Sequence, residues 1–271
     1  MQGEIVADKL AFPEGPVWRE AALYFVEIAA GAVSRYGAGH GVERCALPGG
    51  GPNGAALGPG PALYVTQNGG MTRDHRKTPG IQRVAFDGAV TMLTGEVSGL
   101  ELIAPNDLAF GPDGRLYFTD PRGVPDPSRN RNPGRIYAWD LERGSGELIV
   151  ELGPVFPNGI AFDRAGTLLW TETFSRRVMT LRGAEPELVV QLPERHFPDG
   201  LCLDEQGRLY VASTYGHCVS VIEGDRLVDR LMCGDGMPTN CCFADGDLIV
   251  TESRHGTLWR FALGQRGLLK S

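Results

Sequence analysis

The stretch PNDLAFGPDGRLYFTDP, residues 105–121, decides how this chain is read. A Pro and a polar residue lead into a short apolar run, Pro112-Asp113-Gly114-Arg115 turns the chain, and Leu-Tyr-Phe-Thr returns it. An Asp-Gly turn between two such runs is a strong hairpin signal. The phrase recurs as FPEGPVWREAALYFVEI from Phe12, GPNGAALGPGPALYVTQN from Gly51, FPNGIAFDRAGTLLWTET from Phe156, FPDGLCLDEQGRLYVAST from Phe197 and MPTNCCFADGDLIVTES from Met237.

Working outward, the six prolines (Pro13, Pro52, Pro105, Pro157, Pro198, Pro238) stand 39, 53, 52, 41 and 40 residues apart. Repeats of this size are those of propeller blades, and each unit has room for about four strands once runs such as RIYAWDL at 135–141 and VSVIEG at 219–224 are added. The last unit holds only three, around 240–244, 248–252 and 257–262, while residues 4–10 have no blade of their own. The spacing therefore predicts an all-β, six-bladed β-propeller over residues 1–271, a single domain closed by the N-terminal strand joining the last blade. Such closure removes exposed sheet edges.

Composition agrees. The 271 residues include 38 Gly and 19 Pro with an apolar share of 42%, which suits many short strands and not long helices. A formal charge of −7 with no basic run argues against nucleic acid and anionic membranes as partners. The N-terminal MQGEIVADKLAFPEG lacks the pattern of a signal peptide, and no apolar run could span a bilayer. A cytoplasmic protein, monomeric or a small homo-oligomer, is the expectation. The six cysteines show no CxxC spacing and read as reduced, mostly buried thiols.

In a propeller the innermost strand of each blade starts near one mouth of the central channel. The residues after the repeat prolines, Glu14, Asn53, Asn106, Asn158, Asp199 and Thr239, should recur around that mouth, and every one carries a side-chain oxygen. A second set ends the returning strands: Glu27, Gln67, Asp120, Glu172, Ser213 and Glu252. Turn chemistry and solvent contact explain either set copy by copy. Converging on one axis, however, oxygen donors with an excess of acid suit a hard divalent cation such as Ca²⁺, Mg²⁺ or Mn²⁺, and zinc is not barred from such a site.

Taken in order, FPEGPVW at 12–18, NDL at 106–108, FPNGIAF at 156–162 and FPDGLCLD at 197–204 resemble the SMP-30/gluconolactonase/LRE family of six-bladed propellers over essentially the whole chain. The resemblance implies a metal-dependent lactonase, most often acting on a sugar lactone, with one divalent ion (Ca, Zn, Mn or Mg) in the channel. Glu14, Asn158 and Asp199 match the three protein ligands, and Asn106 matches an asparagine that contacts substrate or ion-bound water. One departure stands out: where animal members carry a sugar-holding arginine two residues before that asparagine, this chain has Ala104. Arg122, Arg129, Arg131 and Arg135, in the long segment PRGVPDPSRNRNPGR after Asp120, are candidates for substitute contacts. Asn106, Asp120 and Arg122 are thus expected on the substrate side, with 121–135 forming a wall or lid and QNGGMTRDHRKTPG at 67–80 a second rim loop.

Opening a lactone needs a polarised carbonyl, an activated water and a proton for the leaving alkoxide. By resemblance Asp199 is the general base, although a carboxylate at a cation is a weak base and Glu27, Asp120 or Glu252 could share the proton transfer. The alternatives are an esterase for another lactone or an organophosphate, and a non-catalytic metabolite-binding propeller with a structural cation. His40, His75, His196, His217 and His255 fall in no catalytic spacing, and His196, close enough to the Asp199 motif to face the channel mouth, reads as an ordinary packed or solvent-contacting side chain.

Overall fold

A computed structural model describes residues 2–71 and 76–268. Six four-stranded antiparallel sheets form the blades. Blade 1 comprises Pro13–Arg19, Ala22–Glu27, Ala32–Gly37 and Gly41–Ala46; blade 2 comprises Pro52–Leu57, Ala62–Gln67, Gly80–Ala85 and Val90–Thr94. Blade 3 runs through Leu108–Phe110, Leu116–Asp120, Arg135–Asp140 and Ser145–Glu151, and blade 4 through Pro157–Phe162, Leu168–Glu172, Arg177–Arg182 and Glu185–Gln191. Blade 5 is Pro198–Leu203, Leu209–Ser213, Cys218–Glu223 and Arg226–Met232. Within each of these blades the strands lie side by side in chain order, and the first strands of all six blades touch in ring order, blade 6 against blade 1.

Blade 6 closes the ring as the sequence predicts. Pro238–Ala244, Asp247–Glu252 and Thr257–Ala262 take the N-terminal strand Glu4–Ala7 as their outer edge, antiparallel, with Glu4 opposite Arg260 and Ile5 opposite Trp259. Val6, Ala7 and Leu10 pack onto the buried cluster that joins blades 6 and 1, among them Phe25, Ile249 and Leu258. The other cores likewise lie in the wedges between neighbouring blades. Tyr64 and Ile81 of blade 2, for example, pack with Phe110, Phe118 and Trp139 of blade 3. This is the two-layer solution repeated round a circle, each sheet burying both faces against its neighbours.

The unequal spacings have separate causes. The second unit carries the 68–79 loop and also a small hairpin, Glu96–Val97 with Leu100–Glu101, whose Val97 is buried between blades 2 and 3. The third carries the 121–134 loop between its second and third strands. Residues 72–75, including His75, lie outside the described residues, so the centre of the expected second rim loop is not among them. The described residues include no α-helix, only a 3₁₀ turn at Thr214–Gly216, and no helix long and apolar enough to cross a membrane. All six cysteines are free thiols and all but Cys45 are buried.

Candidate active site in the central channel

The side chains around the channel are set by a backbone irregularity repeated from blade to blade. Pro13, Pro52, Pro157, Pro198 and Pro238 pair with Glu27, Gln67, Glu172, Ser213 and Glu252; the register breaks directly afterwards in blades 2, 4, 5 and 6, and after Glu14 in blade 1. A bulge adds twist and re-aims the side chain it carries. In blades 2, 4, 5 and 6 it carries the residue after the Pro, and in blade 1 it follows Glu14 at once. Glycine follows in four blades because adjacent inner strands approach closely. A Cβ on Gly15 would lie 2.6 Å from Ala55 N, and one on Gly159 would lie 2.6 Å from Asp199 O.

Blades 3 and 6 break this Pro-X-Gly pattern, placing Asp107 and Asn240 where the others have glycine. Asp107 is only 2% exposed; its Oδ1 accepts from Leu108 N–H and lies against Gly54 of blade 2. Its charge acts on two other carboxylates, Glu14 of blade 1 and Asp199 of blade 5, and the Glu14 charge acts on Asp199 as well. Three acids from alternate blades therefore converge on the channel.

Burial governs their protonation. Glu14, 4% exposed, has its pKa pushed up to about 8, first by desolvation and then by Asp107, against hydrogen bonds from Gly15 N–H, Asn240 and Thr239. Asp199 is held well above the ordinary carboxylate range by desolvation and by the Glu14 and Asp107 charges, with a hydrogen bond from Asn158 opposing. The Asn158 amide nitrogen also donates to Thr173 Oγ1 at 3.2 Å, which leaves its oxygen as the open end. Asn158 thus contacts Asp199 directly, and Glu14 acts on Asp199 through its charge.

A chain of threonines fixes this ring from behind. Near the end of the returning strand of blades 2, 3 and 4 a hydroxyl reaches into the next blade and donates to the carbonyl of the residue after its Pro: Thr66 to Asn106, Thr119 to Asn158 at 2.6 Å and Thr171 to Asp199 at 2.7 Å. In blade 6, Ser253 and Thr239 bond Pro13 O. Neither Asp107 nor these threonines were singled out from the sequence. The signal for Asp107 was present, since it interrupts a Pro-X-Gly repeat.

The second set of polar residues has a different job. Gln67 Oε1 accepts from Gly51 and Gly69 N–H, and Glu252 Oε1 accepts from Met237 and Arg254 N–H, both at 2.7 Å. Glu27 accepts from Ala11 N–H, Ser34 and Arg44; burial alone would raise its pKa, but these partners outweigh it and lower the value. Glu172 binds Ser175, and Ser213 joins Ser220 and buried His196, whose pKa is lowered by burial and by Arg230. These groups fasten the loops of their own blades. Their lone pairs are taken locally, so the proton-sharing role expected for Glu27 or Glu252 has no support in their contacts.

Asp120 follows the same scheme with one consequence for the substrate side. Fully buried, it accepts Ile103 N–H on Oδ2, and on Oδ1 both Ala104 N–H at 3.0 Å and Arg122 N–H at 2.9 Å. Desolvation outweighs these bonds and raises its pKa. Arg122 is thereby held beside Ala104, two residues before Asn106. The other arginines of the loop are occupied or remote: Arg135 pairs with Glu151 at 2.6 Å, Arg131 donates to Pro127, Ser128 and Asn130 carbonyls, and Arg129 is exposed.

With this geometry in hand, comparison with known proteins is direct. The gluconolactonase of Zymomonas mobilis is 26% identical over 94% of this chain and 80% of its own. The structure of a gluconolactonase from Xanthomonas campestris superposes with a TM-score of 0.80 at 24% identity, covering 98% of this chain and 89% of that one. The calcium-binding protein regucalcin from Agrobacterium tumefaciens gives 0.79 at 18% identity, covering 96% and 93%. Residues 12–254 match the family model described as the SMP-30/gluconolactonase/LRE-like region, and the chain belongs to that family.

Proposed function

We propose that this propeller hydrolyses a small lactone, a sugar lactone foremost, with one divalent cation held by Glu14, Asn158 and Asp199. The observation that carries the reading is the desolvated position of Glu14 and Asp199 in the channel, where the Glu14 and Asp107 charges add to burial in raising the pKa of Asp199, and Asp107 adds to it at Glu14. Among the described residues no three His, Cys, Asp or Glu side chains cluster as a metal site; the donor set is two carboxylates and an amide. That set fits a hard cation, which accepts carboxylate and amide oxygens and offsets the cost of buried negative charge. Such an ion, when bound, supplies Lewis acidity to a carbonyl and lowers the pKa of an adjacent water.

The chain's own residues do the rest. Asp199 takes the proton of the attacking water, and no other carboxylate of either ring combines a channel position with so few local hydrogen bonds. As the ring C–O bond breaks, that proton passes to the leaving oxygen, giving the open hydroxy acid. Asn106 and Arg122 face the substrate, and Asp120 acts on that side by fastening the segment that carries them. Thr119 and Thr171 hold the backbone of Asn158 and Asp199, so the donors are in place before substrate arrives. The test is acid release from gluconolactone, xylonolactone and arabinolactone, with and without EDTA and added Ca²⁺, Mn²⁺, Mg²⁺ or Zn²⁺. Metal-dependent turnover supports the reading; an ion retained with no turnover on any lactone replaces it with a binding propeller.

A further inference from the structure

The loop after Asp120 contains two buried donors with nothing to donate to. Neither Arg122 Nε nor Asn130 Nδ2 has a hydrogen-bond partner among the described residues. Asn130 is 4% exposed, and its Oδ1 accepts Asn132 N–H at 3.3 Å, which sets the amide so that the NH₂ is the open end. The two residues lie close together in the loop. A Cβ on Gly123 would collide with the Asn130 amide, so Asn130 lies across the residue that follows Arg122, and the Asn132 side chain ties the strap by donating to Arg122 O. The strap begins beside Ala104, through the shared Asp120 oxygen, on the side of the channel where Asn106 stands.

Buried donors are almost always satisfied, and leaving two open in one strap costs stability unless a ligand completes them. An acceptor serving both, one of them on a fixed cation with fork geometry, is best an anionic oxygen. We infer that Arg122 and Asn130 form a subsite for an anionic substituent, a carboxylate or phosphate, so that the substrate is an acidic lactone. The inference rests on the lactonase reading and names its substrate class.

The test compares glucono-1,4-lactone with glucaro-1,4-lactone, which differ only in a carboxylate at C6, and with the 6-phospho ester of gluconolactone. In the metal-loaded enzyme, kcat/KM should favour one of the acidic lactones by about tenfold or more, the fold-change expected of a charge-assisted pair of hydrogen bonds. Whichever acid is preferred identifies the anion. Asn130→Asp keeps the acceptor for Asn132 N–H but replaces the open donor with an acceptor, and Arg122→Gln removes the charge; each should bring the acidic-to-neutral ratio close to one. A ratio near one in the unmodified enzyme, or a ratio that survives both substitutions in proteins of unchanged Tm, overturns the inference. Calorimetric binding of glucarate against gluconate gives the same ratio without turnover. Should no lactone be hydrolysed, the lactonase reading fails, and this binding ratio alone decides the subsite.

Discussion

Thr171 donates its hydroxyl hydrogen to the backbone carbonyl of Asp199 at 2.7 Å, across the boundary between blades 4 and 5. The residue proposed as base is thus positioned by a side chain that touches neither ion nor substrate. Thr171→Val keeps the shape and leaves a buried carbonyl without its donor, a loss of about 1–3 kcal/mol. The expected outcome is a kcat lowered roughly tenfold with KM within about twofold, because the altered position matters most in the transition state. Steady-state kinetics beside Thr171→Ser, which should restore the rate, separate positioning from general destabilisation.

Asp107 supplies negative charge to a channel it does not enter by way of the Pro-X position. Asp107→Asn removes a charge that raises the pKa of both Glu14 and Asp199, so both should ionise at lower pH. It also removes attraction for a cation, and divalent binding measured by calorimetry should weaken about tenfold.

Protonation of the channel acids links stability to pH. Glu14 titrates near 8 in the folded protein against an ordinary 4.5, and Asp199 is raised as well, so folding holds protons that unfolding releases. Their contribution is complete below the unfolded values and is lost as pH rises through the folded ones. In EDTA, Tm should therefore fall by roughly 5 °C or more between about pH 5.5 and 8.5, and saturating divalent ion should remove the fall by stabilising the ionised forms.

Ring closure depends on residues before the first blade. Glu4–Ala7 provides the outer strand of blade 6, Arg260 bonds Glu4 at 2.9 Å, and Leu10 N–H donates to Gly256 O. Deleting residues 2–10 exposes a sheet edge and the apolar contacts of Val6 and Leu10, and should lower Tm by roughly 5–10 °C. Calorimetry on the truncated chain checks this; an unchanged Tm would contradict the closure.

The fold was legible because a propeller repeats its punctuation. Six Pro-led phrases about 40 to 50 residues apart, with a three-strand remainder and an orphan N-terminal strand, leave little choice of architecture, and the strands lie within a residue or two of the expected positions. The proposal of Glu14, Asn158 and Asp199 comes from the same repeat, since one position follows each Pro. What was not legible depended on the direction of a side chain within a bulge or strand end. Glu27, Asp120 and Glu252 look like channel acids in register, yet their oxygens turn to N–H groups of their own loops. Thr171 is an ordinary strand residue until the next blade is placed against it. The Glu96–Glu101 hairpin was overlooked because its Ser98-Gly99 turn sits in an otherwise unremarkable linker.

Metal binding and turnover measured on the same samples test the central claim most directly. Unmodified protein should bind one divalent ion and hydrolyse a lactone only when it is bound. Glu14→Gln should weaken the ion about tenfold or more, and Asp199→Ala should abolish turnover, a loss of at least about 10²-fold. Full activity in both variants, or hydrolysis unaffected by EDTA, would contradict the assignment of this channel as the catalytic site.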